Sequence, residues 1–130
     1  MELCLISPST VLLKRELFEV HGLFDENLAI CEDYDLWLRL TAQHKVALLS
    51  EKLMTRHGGH ADQLSWSDWG IDRYRVQSII KILKTEKLRT QDRSAAIVVL
   101  LKKCKILING FRKRGKLEEV VKYEKIVNEY

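Results

Sequence analysis

The stretch CEDYDLWLRL, residues 31–40, sets three carboxylates at the head of a strongly apolar segment. Wound as a helix at roughly 100° per residue, it places Asp33 on one face with Leu36, Trp37 and Leu40, the i, i+3, i+4, i+7 pattern of a buried stripe. Glu32, Asp35 and Arg39 fall opposite and are predicted to face solvent, with Asp35 and Arg39 spaced for an i, i+4 ion pair. Acids favour the positive end of a helix, which accounts for their presence but not for their positions. A carboxylate turned toward a core or cleft needs a partner or a function, so Asp33 is the acid singled out. Its structural alternative is an N-terminal acid hydrogen-bonded to a nearby loop.

Around this helix the first half of the chain reads as short mixed elements. LCLISPSTVLLK, residues 3–14, is aliphatic and β-branched and is predicted as strand interrupted at Ser7-Pro8-Ser9. RELFEVHG is predicted as a short helix closed by Gly22, and Asp25-Glu26-Asn27 as a turn leading to a helix over 32–43. KVALLSEKLMTRH, residues 45–57, reads as one or two strands, followed by a glycine-containing loop. The second half reads as helix throughout. Val76, Ile79, Ile80 and Leu83 share one face, and Asp68 or Asp72 can cap it. Ile97, Leu100, Leu101, Cys104, Leu107, Ile108 and Phe111 line a second helix over about 92–111. Beyond Gly115, Leu117, Val120, Val121 and Val127 line a third, so the last two are predicted to form a helical hairpin.

The chain has 130 residues, 46% hydrophobic and 31% charged, with a net charge of +4. That total hides an asymmetry. Residues 1–65 hold 6 Lys/Arg against 10 Asp/Glu, and residues 66–130 hold 16 against 8. The longest apolar run, Ala95 to Leu101, is far below the ~18 residues of a membrane-spanning helix. MELCLISPS has no basic region followed by a long apolar stretch, and three cysteines without CxxC spacing argue for free thiols in a reducing compartment. The expected location is cytoplasmic.

Few residues carry recognisable chemistry by spacing alone. Asp33-Tyr34-Asp35 is literally a DxD, but residues i and i+2 lie about 200° apart on a helix and cannot chelate one ion there. His57 and His60 flank Gly58-Gly59 with Arg56 beside them, a set able to meet a diphosphate or its bound cation, though two loop histidines also serve as surface or hydrogen-bonding residues. No phosphate-loop, dinucleotide-binding, Ser/His/Asp or HExxH motif occurs.

ISPSTVLLKRELFEVHGLFDENLAICEDYDLWLRL, residues 6–40, resembles the C-terminal half of the catalytic domain of family 2 glycosyltransferases, inverting enzymes of the GT-A fold. The resemblance runs from about Ile6 to Ser65, and its most specific parts are GLFDE followed by EDYDLWLRL, with RHGGHADQLS as a further signature. It implies that Asp33 is the general base for the acceptor hydroxyl and that Glu32 helps orient the site. Gly22, Leu23, Phe24, Asp25 and Trp37 would line the acceptor pocket. His57, or else His60, with Arg56, would meet the diphosphate or metal. Mg²⁺ or Mn²⁺ would serve the complete enzyme, with none expected on this chain alone, because the resemblance lacks the N-terminal nucleotide-binding half with its DxD. A truncated or split gene is therefore expected.

The resulting expectation is an α+β architecture. Residues 1–65 form a partial GT-A-like mixed sheet with short helices, and residues 66–130 a basic helical extension ending in a hairpin. Its function is transfer of a sugar from a nucleotide-sugar donor to an acceptor hydroxyl, lipid-linked or saccharide, with inversion, the isolated chain being inactive. The alternative is a non-catalytic helical module binding an anionic membrane surface, as at the inner face of the membrane, or a protein partner. Nucleic acid is not expected, since the lysines lack interleaved exposed aromatics. Self-association through an exposed sheet edge is expected as well.

Overall fold

Leu100, Cys104, Leu107, Ile108 and Phe111 are all buried, and their 3–4 residue spacing winds residues 90–113 into the longest helix of the protein. The computed structural model describes residues 2–55, 57, 70–85 and 88–130. Among them are five α-helices: α1 (Glu16–His21), α2 (Glu32–Thr41), α3 (Asp72–Leu83), α4 (Thr90–Lys113) and α5 (Leu117–Glu129). Each packs on the next along the chain. Val76, Ile79 and Leu83 of α3 and Val120 and Tyr123 of α5 close over the α4 stripe.

The expected hairpin is present. Gly115 adopts φ +69°, a left-handed turn that a side chain would strain. The Lys116 N–H reaches back to the Phe111 carbonyl at 3.0 Å and closes α4. Across the hairpin the Phe111 and Tyr123 rings stack at 5.5 Å, and Arg112 meets Glu124 at 2.9 Å. Leu117 and Val121, predicted to face inward, are exposed, and Tyr123 fills the inner face instead. The short helix before Gly22 also forms as predicted, with the Gly22 N–H on the Phe18 carbonyl at 2.8 Å and φ +77°.

The expected GT-A-like mixed sheet is not formed, and the α+β assignment is corrected: the described residues are helical with irregular connections and contain no strand. Strand composition specifies a strand only when a neighbour completes the ladder. Residues 7–10 instead close a 3₁₀ turn, with the Thr10 N–H and Oγ1 both on the Ser7 carbonyl at 2.9 and 2.8 Å. Over residues 45–55 no backbone group bonds another backbone group among the described residues. Leu48, Leu49 and Leu53 of that segment point into solvent.

Helix α2 links the two halves. On one side Leu36, Trp37 and Leu40 pack on Ile6, Val11, Leu13, Leu17 and Phe18. On the other, Tyr34 enters the cluster built by α3, α4 and α5. Tyr34, with Cys4, Cys31 and Leu38 against it, thus shares a cluster with α3, α4 and α5.

Candidate functional site

The three acids at the head of α2 occupy three different environments. Asp35 is 1% exposed, although the helical wheel predicts it in water. Its Oδ2 accepts from Arg39 Nε at 2.8 Å, and Lys81 Nζ of α3 lies 3.2 and 3.3 Å from its two oxygens. The wheel fails because it assumes one buried face. α2 is covered by the N-terminal segment, by α3 and by the loop after α1, so the side opposite Leu36 is interior too.

Arg39 explains what Asp35 is for. Besides Asp35, its Nη1 donates to the carbonyls of His21 and, at 3.3 Å, Gly22, and its Nη2 to that of Leu23 at 2.7 Å. These are the carbonyls freed where α1 ends. Lys81 then draws in the next residues of the same loop, meeting Asp25 Oδ2 at 2.8 Å. Its ammonium and the Asn27 amides hold the Asp25 carboxyl down to about 2. Burial pulls the Lys81 pKa down, but the bonds to Asp25 and Asp35 outweigh it and leave it raised. GLFDE and EDYDLWLR are thus one unit, clamped by Arg39 and Lys81. A cavity of about 130 Å³ lies beside the clamp, lined in part by Asp25, Asn27, Leu28, Gln77, Ser78 and Lys81.

Asp33 is partly exposed and has no ion-pair partner among the described residues. Its Oδ1 accepts the Tyr34 N–H at 2.6 Å, satisfying one of the free amides of the first turn. Its Oδ2 accepts from the Cys4 thiol at 3.3 Å. A thiol is a weak donor, which a hydroxyl can replace to advantage. Burial first, and then the Asp33 hydrogen bond and charge, push the Cys4 thiol up to about 12. Beside this group Arg75 lies 5.8 Å from the Tyr34 ring centre and bonds Asp72 at 3.1 Å. Asp72 also receives the buried Lys103 at 2.8 Å.

The remaining expected site residues divide. Gly22, Leu23 and Phe24 are exposed on the clamped loop, and Glu32 is partly exposed. Trp37 is 5% exposed with its Nε1 on the Ile6 carbonyl at 3.0 Å, so it anchors the core and offers no open face to an acceptor. His57 is exposed, and Arg56 and His60 lie outside the described residues. Among the described residues no three His, Cys, Asp or Glu side chains converge as a metal cage. Asp25 and Asp35, drawn together, already share an ammonium, so these residues do not fit a resident Mg²⁺ or Mn²⁺.

Sequence reasoning missed Arg39 as a loop clamp and Lys81 as its second jaw. The available signal was Lys81 itself, a lone cation inside the apolar run SIIKIL. No family model, no curated protein and no solved structure matches the chain.

Proposed function

We propose that the chain supplies the acceptor side of an inverting sugar transfer from a nucleotide-sugar donor, with Asp33 as general base. The observation that carries the reading is the unequal commitment of two neighbouring acids. Asp35 is taken up by Arg39 and Lys81, whereas among the described residues the outer oxygen of Asp33 holds a thiol hydrogen bond and no ion pair. An acceptor hydroxyl replaces that thiol at Oδ2. Its oxygen bonds the anomeric carbon as the carbon–oxygen bond to the diphosphate breaks, and its proton ends on Asp33. Asp35 and Arg39 act as positioning residues, holding the 22–25 loop against α2. His57, or else His60, with Arg56, meets the diphosphate of the donor.

The test is Asp33→Asn in the complete transferase. The amide keeps the shape but cannot take the proton, so turnover is expected to fall ~10²- to 10⁴-fold with the melting temperature unchanged. Unchanged turnover, or a lowered melting temperature with normal turnover by the folded fraction, overturns the assignment.

A further inference from the structure

Residues 2–6 run from α4 across the head of α2 and are held there at three points of unequal strength. At one end Glu2 Oε1 meets Lys102 Nζ of α4 at 2.5 Å, with both side chains more than half exposed. An ion pair so placed is screened by water and salt and holds weakly. In the middle the Cys4 thiol, a weak donor, gives its proton to Asp33 Oδ2 at 3.3 Å. At the other end the Ile6 carbonyl takes the indole N–H of Trp37 at 3.0 Å, and the Ile6 side chain packs on Leu36, Trp37 and Leu40. Trp37 is 5% exposed, so this last point is the firmest of the three.

The Cys4 thiol has one proton and two acceptors. Besides Asp33, the Ile6 carbonyl lies 3.5 Å from Sγ, within the same segment. A carbonyl oxygen has two lone pairs, so it can take the thiol together with the indole, and Cys4 can leave Asp33 without orphaning its donor. Cys4 itself rests partly buried against both apolar clusters, which makes the covered state the resting one. Leu3 and Leu5 on either side are 55% and 80% exposed and add little to hold the segment down. A hydroxyl makes a shorter and stronger bond to a carboxylate than a thiol does, so an incoming alcohol competes well for Oδ2.

We propose that residues 2–6 are an autoinhibitory strap over Asp33, pivoting at Ile6, which lifts Cys4 off the carboxylate to admit an acceptor hydroxyl. Its inhibitory role rests on Asp33 being the general base, and adds to that reading that the base is covered at rest. The strap lowers the apparent affinity for the acceptor by the closed fraction, and loosening it restores that affinity with the chemical step untouched.

The experiment reads the accessibility of both partners of the Cys4–Asp33 contact in the chain itself. Asp33 is modified with a water-soluble carbodiimide and glycine ethyl ester, Cys4 with iodoacetamide, and the sites are resolved by peptide fragmentation. Lys102→Gln, with folding checked by circular dichroism, is expected to speed both modifications about threefold or more. Salt at about 0.5 M is expected to speed them in the parent but not in that variant. Cys4→Ala is expected to speed modification of Asp33, while Asp35, 1% exposed, stays unmodified as the internal control. Equal rates in the parent and Lys102→Gln, no effect of salt on the parent, or an Asp33 rate unmoved by Cys4→Ala overturns the strap. Full turnover by Asp33→Asn in the complete transferase overturns the base reading and with it the inhibitory role, while both modification rates hold, so the two failures are distinct.

Discussion

Arg39 Nε lies 2.8 Å from Asp35 Oδ2 one turn away on α2, and the same guanidinium holds the carbonyls of Gly22 and Leu23. An i, i+4 pair on an exposed helix contributes about 0.3 to 0.5 kcal/mol. Here the carboxylate is interior and the guanidinium ends a loop, which changes the magnitude expected on mutation.

Asp35→Asn leaves Arg39 and Lys81 facing an amide in the interior. A loss of about 2 to 4 kcal/mol is expected, a fall of roughly 10 °C in melting temperature followed by circular dichroism. Asp33→Asn, by contrast, is expected to melt close to the parent. Equal melting temperatures for the two variants would contradict the clamp.

The bond from Lys81 to Asp25 sets an acid limb. The Asp25 carboxyl is held below its ordinary 3.8, at about 2. A carboxyl depressed in the folded state adds stability above the unfolded pKa and loses it as pH falls through the folded one. The Asp25 contribution is therefore full at neutral pH and disappears from pH 3.8 toward about 2. Lys81→Met is expected to be less stable at pH 7 and to lose less stability across that acid window. The Asn27 amides preserve part of the effect. Urea titrations at a series of acid pH values measure both.

Burial and Asp33 together keep the Cys4 thiol protonated far above its usual range. Iodoacetamide at pH 8 is expected to label Cys4 much more slowly than a free cysteine, since the thiolate is the nucleophile. Asp33→Asn removes the negative charge at 3.3 Å and is expected to speed labelling of Cys4 several-fold while Cys104, fully buried, stays unlabelled. Peptide mass mapping distinguishes the sites.

Helices α3, α4 and α5 were legible as sequence because each buries one stripe: Val76, Ile79 and Leu83, then Leu100 to Phe111, then Val120. Even there Tyr123 was overlooked, its ring being interior despite a polar tip. α2 defeated the same reading because it has interior neighbours on several sides, and periodicity alone cannot report a charge buried beside a loop. Asp33 was singled out by its place on the wheel, and the resemblance added a role for it and for the 22–25 loop. Their physical connection through Arg39 and Lys81 joins residues 16 to 56 positions apart, a separation that no local pattern encodes. The segments read as strands have the composition for it, but composition does not state whether a pairing partner is present.

The irregular run over residues 45–55 has a consequence for how the molecule comes apart. A protease takes its substrate as an extended chain, and this run presents Lys45, Leu48, Leu49, Lys52 and Leu53 with no backbone hydrogen bond to another described residue. It is therefore the place where trypsin or chymotrypsin cuts early. The cut does not separate the pieces. Tyr34 in the common core and Lys81 across to Asp25 and Asp35 still bind α2 to α3, so the nicked protein migrates as one particle and divides only in denaturant.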